Sequence, residues 1–336
     1  MFKNKNKWVK GILCSIATLG MAASANAQFI VMGGNPAGSL FYTQAQALAT
    51  VINQQTGYRV DVLPQPGTVF FPMFQSREAD IGIASPVEAK LAFDADAPFT
   101  GANNGEGFPM STLMLGSVNR LSLITRANSN IESIEDLRGR RVVADYGAFA
   151  GATKTALSAL ASAGLTADDV RVVPVSSYPE GVRAVIEGRA DAAVGSVGSG
   201  ILQELEAAHG AHLLPILTDE AAIARFQAVG PAFVPVMAEP GQVGVSERIP
   251  VLGYQTTLYS RDDLDEDVIR NIMNALWDHA DDLVAITRTL ATWLPENYAN
   301  TDVVIPFHPV AVEFYKEKGV WSEELEARQN ALLSSR

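Results

Sequence analysis

The sequence predicts an α/β fold: two similarly built lobes, each a parallel or mixed sheet with flanking helices, around a hinged cleft. Three observations predict it. A strand-helix-strand-helix-strand pattern occurs twice at matched spacing. Two apolar, β-rich stretches, 113–125 and 251–259, are suited to carry the chain between lobes and back. Finally, 309 residues behind an export signal, at 48% hydrophobic composition over the whole chain, divide more readily into two cores than one.

In the first unit, residues 29–34 read as a strand ending in glycine. Phe41, Ala45, Leu48 and Ile52 then share one helical stripe, which Gly57 stops. Residues 58–63 alternate as a strand, Pro66-Gly67-Thr68 turns the chain, a short helix runs to Arg77, and 79–84 is a third strand. The second unit replays this as strand 141–145, turn 147–151, helix 152–163, strand 170–175, helix 180–187 and strand 190–194. Arg59-Val60 matches Arg171-Val172 at an offset of 112 residues, and Ala79-Asp80 matches Ala190-Asp191 at 111. Such units build parallel sheets with crossover helices. The equivalent positions of Asp80 and Asp191 point to a structural task at strand starts.

Residues 94–109 are rich in Gly, Asn, Ala and Pro and predict a long surface loop. Residues 265–283 predict an amphipathic helix with Val268, Ile269, Ile272, Met273, Leu276 and Leu283 on its apolar face. Two more helices are expected near 310–318 and 323–333. This layout puts lobe I at 28–118 and 256–336, with lobe II, 119–255, inserted between.

At the start of the chain, Lys3, Lys5, Lys7 and Lys10 precede an apolar run and the small-x-small triplet Ala25-Asn26-Ala27. That is the pattern of a secretory signal, 1–27, cut after Ala27. Its apolar run is too short to span a bilayer comfortably. Cleavage removes four lysines, no acids and the single cysteine, Cys14, taking the formal charge from −12 to −16. A chain without cysteine has no disulfide frame, thiol nucleophile or thiolate metal site. So acidic a chain is a poor partner for nucleic acid or an anionic membrane surface. The expectation is a soluble, exported monomer in the periplasm.

In sheets of this kind ligands bind beyond the carboxyl ends of the strands, where helix N-termini point. Lobe I offers Gly34, Asn35, Ser39 and Tyr42 after its first strand, Thr68 after the second and Ser85 after the third. Lobe II offers Tyr146, Gly147, Phe149 and Gly151 after its first strand and Ser196 after its last. Free backbone N–H groups at helix starts bind carboxylate or phosphate. Each loop alone also reads as a tight turn with a Ser cap. Their number, placed by a duplicated plan, favours a shared cleft. Ser39 can cap the first helix and offer its start to an anion; Tyr42, one turn in, belongs either to the cleft or to the core.

Catalytic patterns are incomplete. His209 and His212, beside Glu204 and Glu206, have the spacing of a metal pair, but Gly210 ends a helix there, where an imidazole is common. His279 and His308 read as structural. Val194-Gly195-Ser196-Val197-Gly198 lacks the first glycine of a nucleophile elbow. Gly151-Ala152-Thr153-Lys154-Thr155 lacks the glycine that precedes lysine in a phosphate loop. No enzyme activity, cofactor or metal is expected.

Four segments resemble one family. Gly33-Gly34 through Ser39-Leu40-Phe41-Tyr42 is similar to the opening glycine-rich turn and paired aromatics of TAXI-type solute-binding proteins, the receptor subunits of one branch of TRAP transporters. Residues 131–142, with Ser133, Asp136, Leu137 and Gly139, resemble their Ile-x-Ser-x-x-Asp-Leu-x-Gly-x-x-Val segment. Gly188-Arg189-Ala190-Asp191-Ala192 resembles their Gly-x-x-Asp-Ala turn. Ile305-Pro306-Phe307-His308-Pro309 with Tyr315, Glu317 and Gly319 resembles their late His-Pro and Tyr-x-Glu-x-Gly run. The resemblance covers nearly the whole mature chain. It implies a type II-like periplasmic binding protein that captures a small organic anion or amino acid and delivers it to a TRAP-type permease.

Other readings of the same layout are the binding protein of an ABC importer, a ligand sensor for a histidine kinase and, less favoured, a periplasmic enzyme. Hinge closure on ligand binding is expected for two lobes joined by extended crossings. Phe70, Phe71 and Phe149 replace polar positions of the family pattern and suit a ligand with an apolar body beside its acid group. Phe70 and Phe71 either line the cleft or pack inward as the first turn of a helix. Phe149, in a glycine-flanked loop, is the stronger cleft aromatic.

Overall fold

The computed structural model describes Met1 and residues 28–335, so the expected export signal and its cleavage site lie outside the described residues. The first unit forms β1 (Gln28–Gly33), α1 (Leu40–Gln55), β2 (Tyr58–Leu63), α2 (Gly67–Ser76), β3 (Ile81–Ala84) and α3 (Pro86–Phe93). β4 (Met110–Arg126) follows. The second unit is β5 (Arg141–Asp145), α4 (Ala150–Ser162), β6 (Arg171–Pro174), α5 (Tyr178–Ile186), β7 (Ala193–Ser196) and α6 (Gly200–His209). Then come β8 (Ala211–Leu213), α7 (Glu220–Val229), β9 (Val234–Ala238) and β10 (Ile249–Arg261). The chain ends in α8 (Glu266–Asp278), α9 (Ala280–Ile286), α10 (Pro309–Glu317) and α11 (Glu323–Ser334).

β4 and β10 are the backbone of the whole molecule. They pair antiparallel from Leu252–Leu121 to Arg261–Met110. At one end β10 carries β3, which continues to β1 and β2. At the other end β4 carries β7 through Leu121–Ile124 and β8 through Ile124–Arg126. β5 and β6 form a parallel pair that reaches β7 through one bridge, Val142 to Ala192. The stretches expected to cross between lobes are therefore the two long central strands. The C-terminal tail returns to the β1–β3 end, where Phe307 bridges Thr112 and Gln329 bonds both backbone groups of Phe307.

The paired aspartates do the structural work expected of them. Asp80 Oδ2 accepts the Val31 N–H at 2.9 Å, and Asp191 Oδ2 accepts the Arg141 N–H at the same distance. Each ties the start of a closing strand to the first strand of its unit. Arg261 and Arg141 neutralise the two carboxylates.

Two expectations need correction, and one open choice is decided. The helix over 265–283 is two helices, broken at His279, whose φ of −122° and ψ of 32° redirect the chain. Its ring nitrogen Nδ1 lies 3.1 Å from Asp282 in the first turn of α9. Loop 94–109 is not wholly a surface loop, because Phe99 and Phe108 are buried and pack edge-on. Phe70 and Phe71 are buried in this second core with Phe74 and Tyr259, so they face away from any cleft. The helix α3 has no counterpart among the predicted elements.

Candidate functional site: a cavity between the two halves of the sheet

The starts of α1, α3, α4 and α5 converge on one cavity, with β4, β7 and β10 behind it. The space is small, about 20 Å³ for the centre of a water-sized sphere. That volume holds roughly one water molecule. Among the predicted site residues, Ser39, Ser85, Phe149, Gly151 and Ser196 lie on its wall.

Each reaches the wall for a local reason. Ser39 caps α1, its Oγ accepting the Tyr42 N–H at 3.2 Å. Ser85 caps α3 in the same way, accepting the Glu88 N–H at 3.1 Å, with Pro86 at the first helical position. Phe149 precedes α4 and caps nothing with its side chain, leaving the helix start to the cavity side. Its ring lies 6.5 Å from that of Tyr178, at the first residue of α5.

Ser196 sits in a buried hydrogen-bond chain across four elements. Its N–H donates to the Tyr178 hydroxyl at 2.9 Å, and its Oγ donates to Asn119 Oδ1 on β4 at 2.8 Å. Asn119 Nδ2 donates to the Tyr254 hydroxyl on β10 at 3.1 Å. Tyr178 also shares a 2.7 Å bond with Ser199 at the start of α6. Burial pushes the Tyr178 hydroxyl up to about 12 and Tyr254 higher still, so both stay neutral at any physiological pH.

The remaining predicted residues stand elsewhere. Gly34 is packed against Val62 and Ala45. Asn35 is buried and donates to the Ile83 carbonyl, pinning the loop after β1 to β3. Tyr42 is half-buried and absent from the cavity wall. Thr68 donates to the Ala148 carbonyl across the gap between the two units. Tyr146 lies behind the wall, its hydroxyl accepting the Val194 N–H at 2.7 Å. Gly181 makes room for that ring, since a Cβ there would lie 2.7 Å from it. Gly147 is exposed.

Of the histidines, His209 places Nε2 2.9 Å from the Ile186 carbonyl, which fits a structural role at the end of α6. His308 caps α10 through Nδ1. No histidine lines the cavity. Among the described residues, no helix is long and apolar enough to cross a membrane.

The residue missed from the sequence is Glu88. It lines the cavity at 1% exposure, and its Oε1 has no hydrogen-bond partner among the described residues. Burial pushes its carboxyl up to about 8, against the opposing pull of the Thr68 N–H. The signal was present: Ser85-Pro86-Val87-Glu88 has the spacing of a capping box. Its carboxyl instead engages the Thr68 N–H in the first turn of α2. No lysine or arginine lines the cavity.

A model of the NMT1-like family matches residues 32–319, most of the chain. The chain belongs to the NMT1-like family. Two solved structures share the fold at a TM-score of 0.52. One is a binding protein component of an ABC phosphonate transporter from Pseudomonas aeruginosa, 14% identical, with 92% of this chain and 96% of that one covered. The other is PhnD1 from Prochlorococcus marinus in complex with methylphosphonate, 10% identical, with 87% and 99% covered. The NMT1-like chain thus has the α/β fold of the two-lobed periplasmic binding proteins. The cavity is walled by residues of both repeated units.

Proposed function

We propose that this protein is the solute-binding subunit of a membrane importer, working in the periplasm without catalysing a reaction. It takes a small organic acid or amino acid between lobe I, residues 28–118 and 256–336, and lobe II, residues 119–255. The closed form is then presented to the transporter. One observation carries this reading: the cavity is walled from both sides, by Ser39, Ser85 and Glu88 from one lobe and by Phe149, Tyr178 and Ser196 from the other. A ligand enters such a space only when the lobes part, and its contacts then favour closure.

The family and the solved neighbours support transport over catalysis, and no histidine stands beside the cavity serines to activate them. The neighbour named for an ABC transporter supports an ABC importer as the partner. The late His-Pro and Gly-rich motifs support a TRAP-type permease as the second reading. Uptake by vesicles carrying each permease class, with this protein added, separates the two.

The binding reading is tested by a melting-shift screen of organic acids and amino acids on the mature protein. A ligand at about 100 times its Kd stabilises the native state by roughly 2.7 kcal/mol. Small-angle scattering of the free and saturated protein should then show a smaller radius of gyration for the complex. An unchanged radius at saturation counts against lobe closure.

A further inference from the structure

We propose that Glu88 recognises a positively charged amine, so that the cavity selects ligands bearing an ammonium group over simple monocarboxylates. This rests on the binding-protein reading above and names the ligand chemistry for that same cavity.

The geometry comes first. Glu88 stands between residues of the two repeated units. A Cβ on Gly67, at the start of α2, would lie 2.8 Å from Glu88 Oε2. One on Gly151, at the start of α4, would lie 3.8 Å from the same oxygen. The carboxyl thus fills the room that a side chain at Gly67 would take, and lies in ordinary contact range of one at Gly151. Its Oε1 is buried and unpartnered. A buried polar atom left without a partner is costly, and native proteins keep few of them. An incoming donor removes that cost.

The surroundings suit a cation. Phe41, Phe149, Tyr178 and Tyr254 line the same cavity as Glu88. Aromatic faces attract ammonium groups through their quadrupole, more strongly when water is excluded. An anion would find no lysine or arginine there, only the backbone N–H groups of helix starts. A zwitterion uses both, with its ammonium on Glu88 and its carboxylate at the start of α4, which has no side-chain cap.

Proton linkage gives the proposal a sign. The groups facing Glu88 are the Thr68 N–H from α2, Ser85 from its own helix, Tyr254 from β10 and Tyr178 from α5, all uncharged. With its carboxyl held up to about 8, Glu88 is protonated in the empty cavity at neutral pH. Ammonium binding favours the carboxylate, so the proton passes to buffer. Affinity for the amine therefore rises with pH, by up to about tenfold per unit between roughly pH 6 and 8. A neutral Glu88 donating to a ligand carboxylate would give the opposite slope.

Isothermal titration of the mature protein tests this with matched probes at pH 6, 7 and 8. The first set is leucine, isopentylamine and 4-methylpentanoate; the second is alanine, ethylamine and propionate. At least one amine-bearing probe should bind at least tenfold more tightly than its acid-only partner. Its affinity should rise with pH, with proton release that scales with buffer ionisation enthalpy. Glu88→Gln keeps the shape, and should weaken the amine at least tenfold and flatten the pH slope. Tighter binding of the acids, an affinity that falls with pH, or an unchanged E88Q overturns the proposal but leaves the binding reading intact. No binding by any probe overturns it too, and the melting-shift screen then decides the binding reading separately. Should E88Q fail to fold, the slope and proton release of the wild-type protein decide alone.

Discussion

In the first half of the repeat, β3 is paired on both sides, to β1 through Ile81 and Gly82 and to β10 through four residues. In the second half, β7 is paired to β4, while toward β5 backbone bonds are made just ahead of the strand, where Asp191 and Ala192 meet Arg141 and Val143. Two tyrosines take over beyond that point. The Val194 and Ser196 N–H groups, which a full ladder would satisfy, donate to the hydroxyls of Tyr146 and Tyr178. A backbone donor buried without a partner is rare because water cannot replace the lost bond. One unit therefore closes its sheet with backbone, the other with backbone at the strand start and tyrosine hydroxyls beyond it. The second solution sets Tyr178 on the cavity wall and ties it to Ser196. The difference teaches that a repeated plan leaves room for one copy to trade backbone pairing for side chains that shape a cavity.

The same contrast runs through the paired aspartates. Asp80 and Arg261 are each 15% exposed, whereas Asp191 and Arg141 are 26% and 43% exposed. Asp80→Ala should therefore cost the most, about 3 kcal/mol, because it leaves the Val31 N–H unpaired and takes one of two carboxylates from a mostly buried guanidinium, which keeps Asp263. Asp191→Ala should cost about 1 kcal/mol, since solvent screens its partner. Chemical denaturation of both variants checks the order, and equal losses would break the contrast.

Next in size, Tyr146→Phe leaves the Val194 N–H buried and unpaired, at a cost of about 1–3 kcal/mol. The loss should come without a change in ligand affinity, because Tyr146 stands behind the wall. A weaker ligand with unchanged melting would move Tyr146 into the site. The smallest effect is expected at Thr68, which joins the two halves. Thr68→Val removes the bond to the Ala148 carbonyl, worth about 0.5–1.5 kcal/mol. Scattering should find the ligand-free variant more open than the wild type, and an identical curve would show that this bond does not hold the halves together.

How far the site could be read from the chain is seen at particular residues. Ser39 and Ser85 were legible because a serine ahead of a helical stripe is a local signal. Tyr42 was not settled by its spacing, because one turn of a helix fixes a direction only once its neighbours are known. Phe70 and Phe71 carry no mark that separates a cleft wall from a core, and packing against Tyr259 from β10 put them in the core. Glu88 carries only the local signal of a capping box with Ser85. Only the Thr68 N–H, brought opposite by the fold, shows that its carboxyl faces elsewhere.

The sequence by itself determined what is local or periodic. The duplicated units, the two long strands and the strand-start aspartates follow from alternation, glycine stops and matched offsets. The tertiary structure alone decided what depends on distant residues meeting. The break at His279, the splayed β5–β7 contact and the burial of Glu88 against Gly67 belong to that class. The physical reason is that backbone hydrogen bonding and hydrophobic period act within a few residues. Desolvation and unpaired polar atoms, by contrast, exist only when a chain has enclosed them.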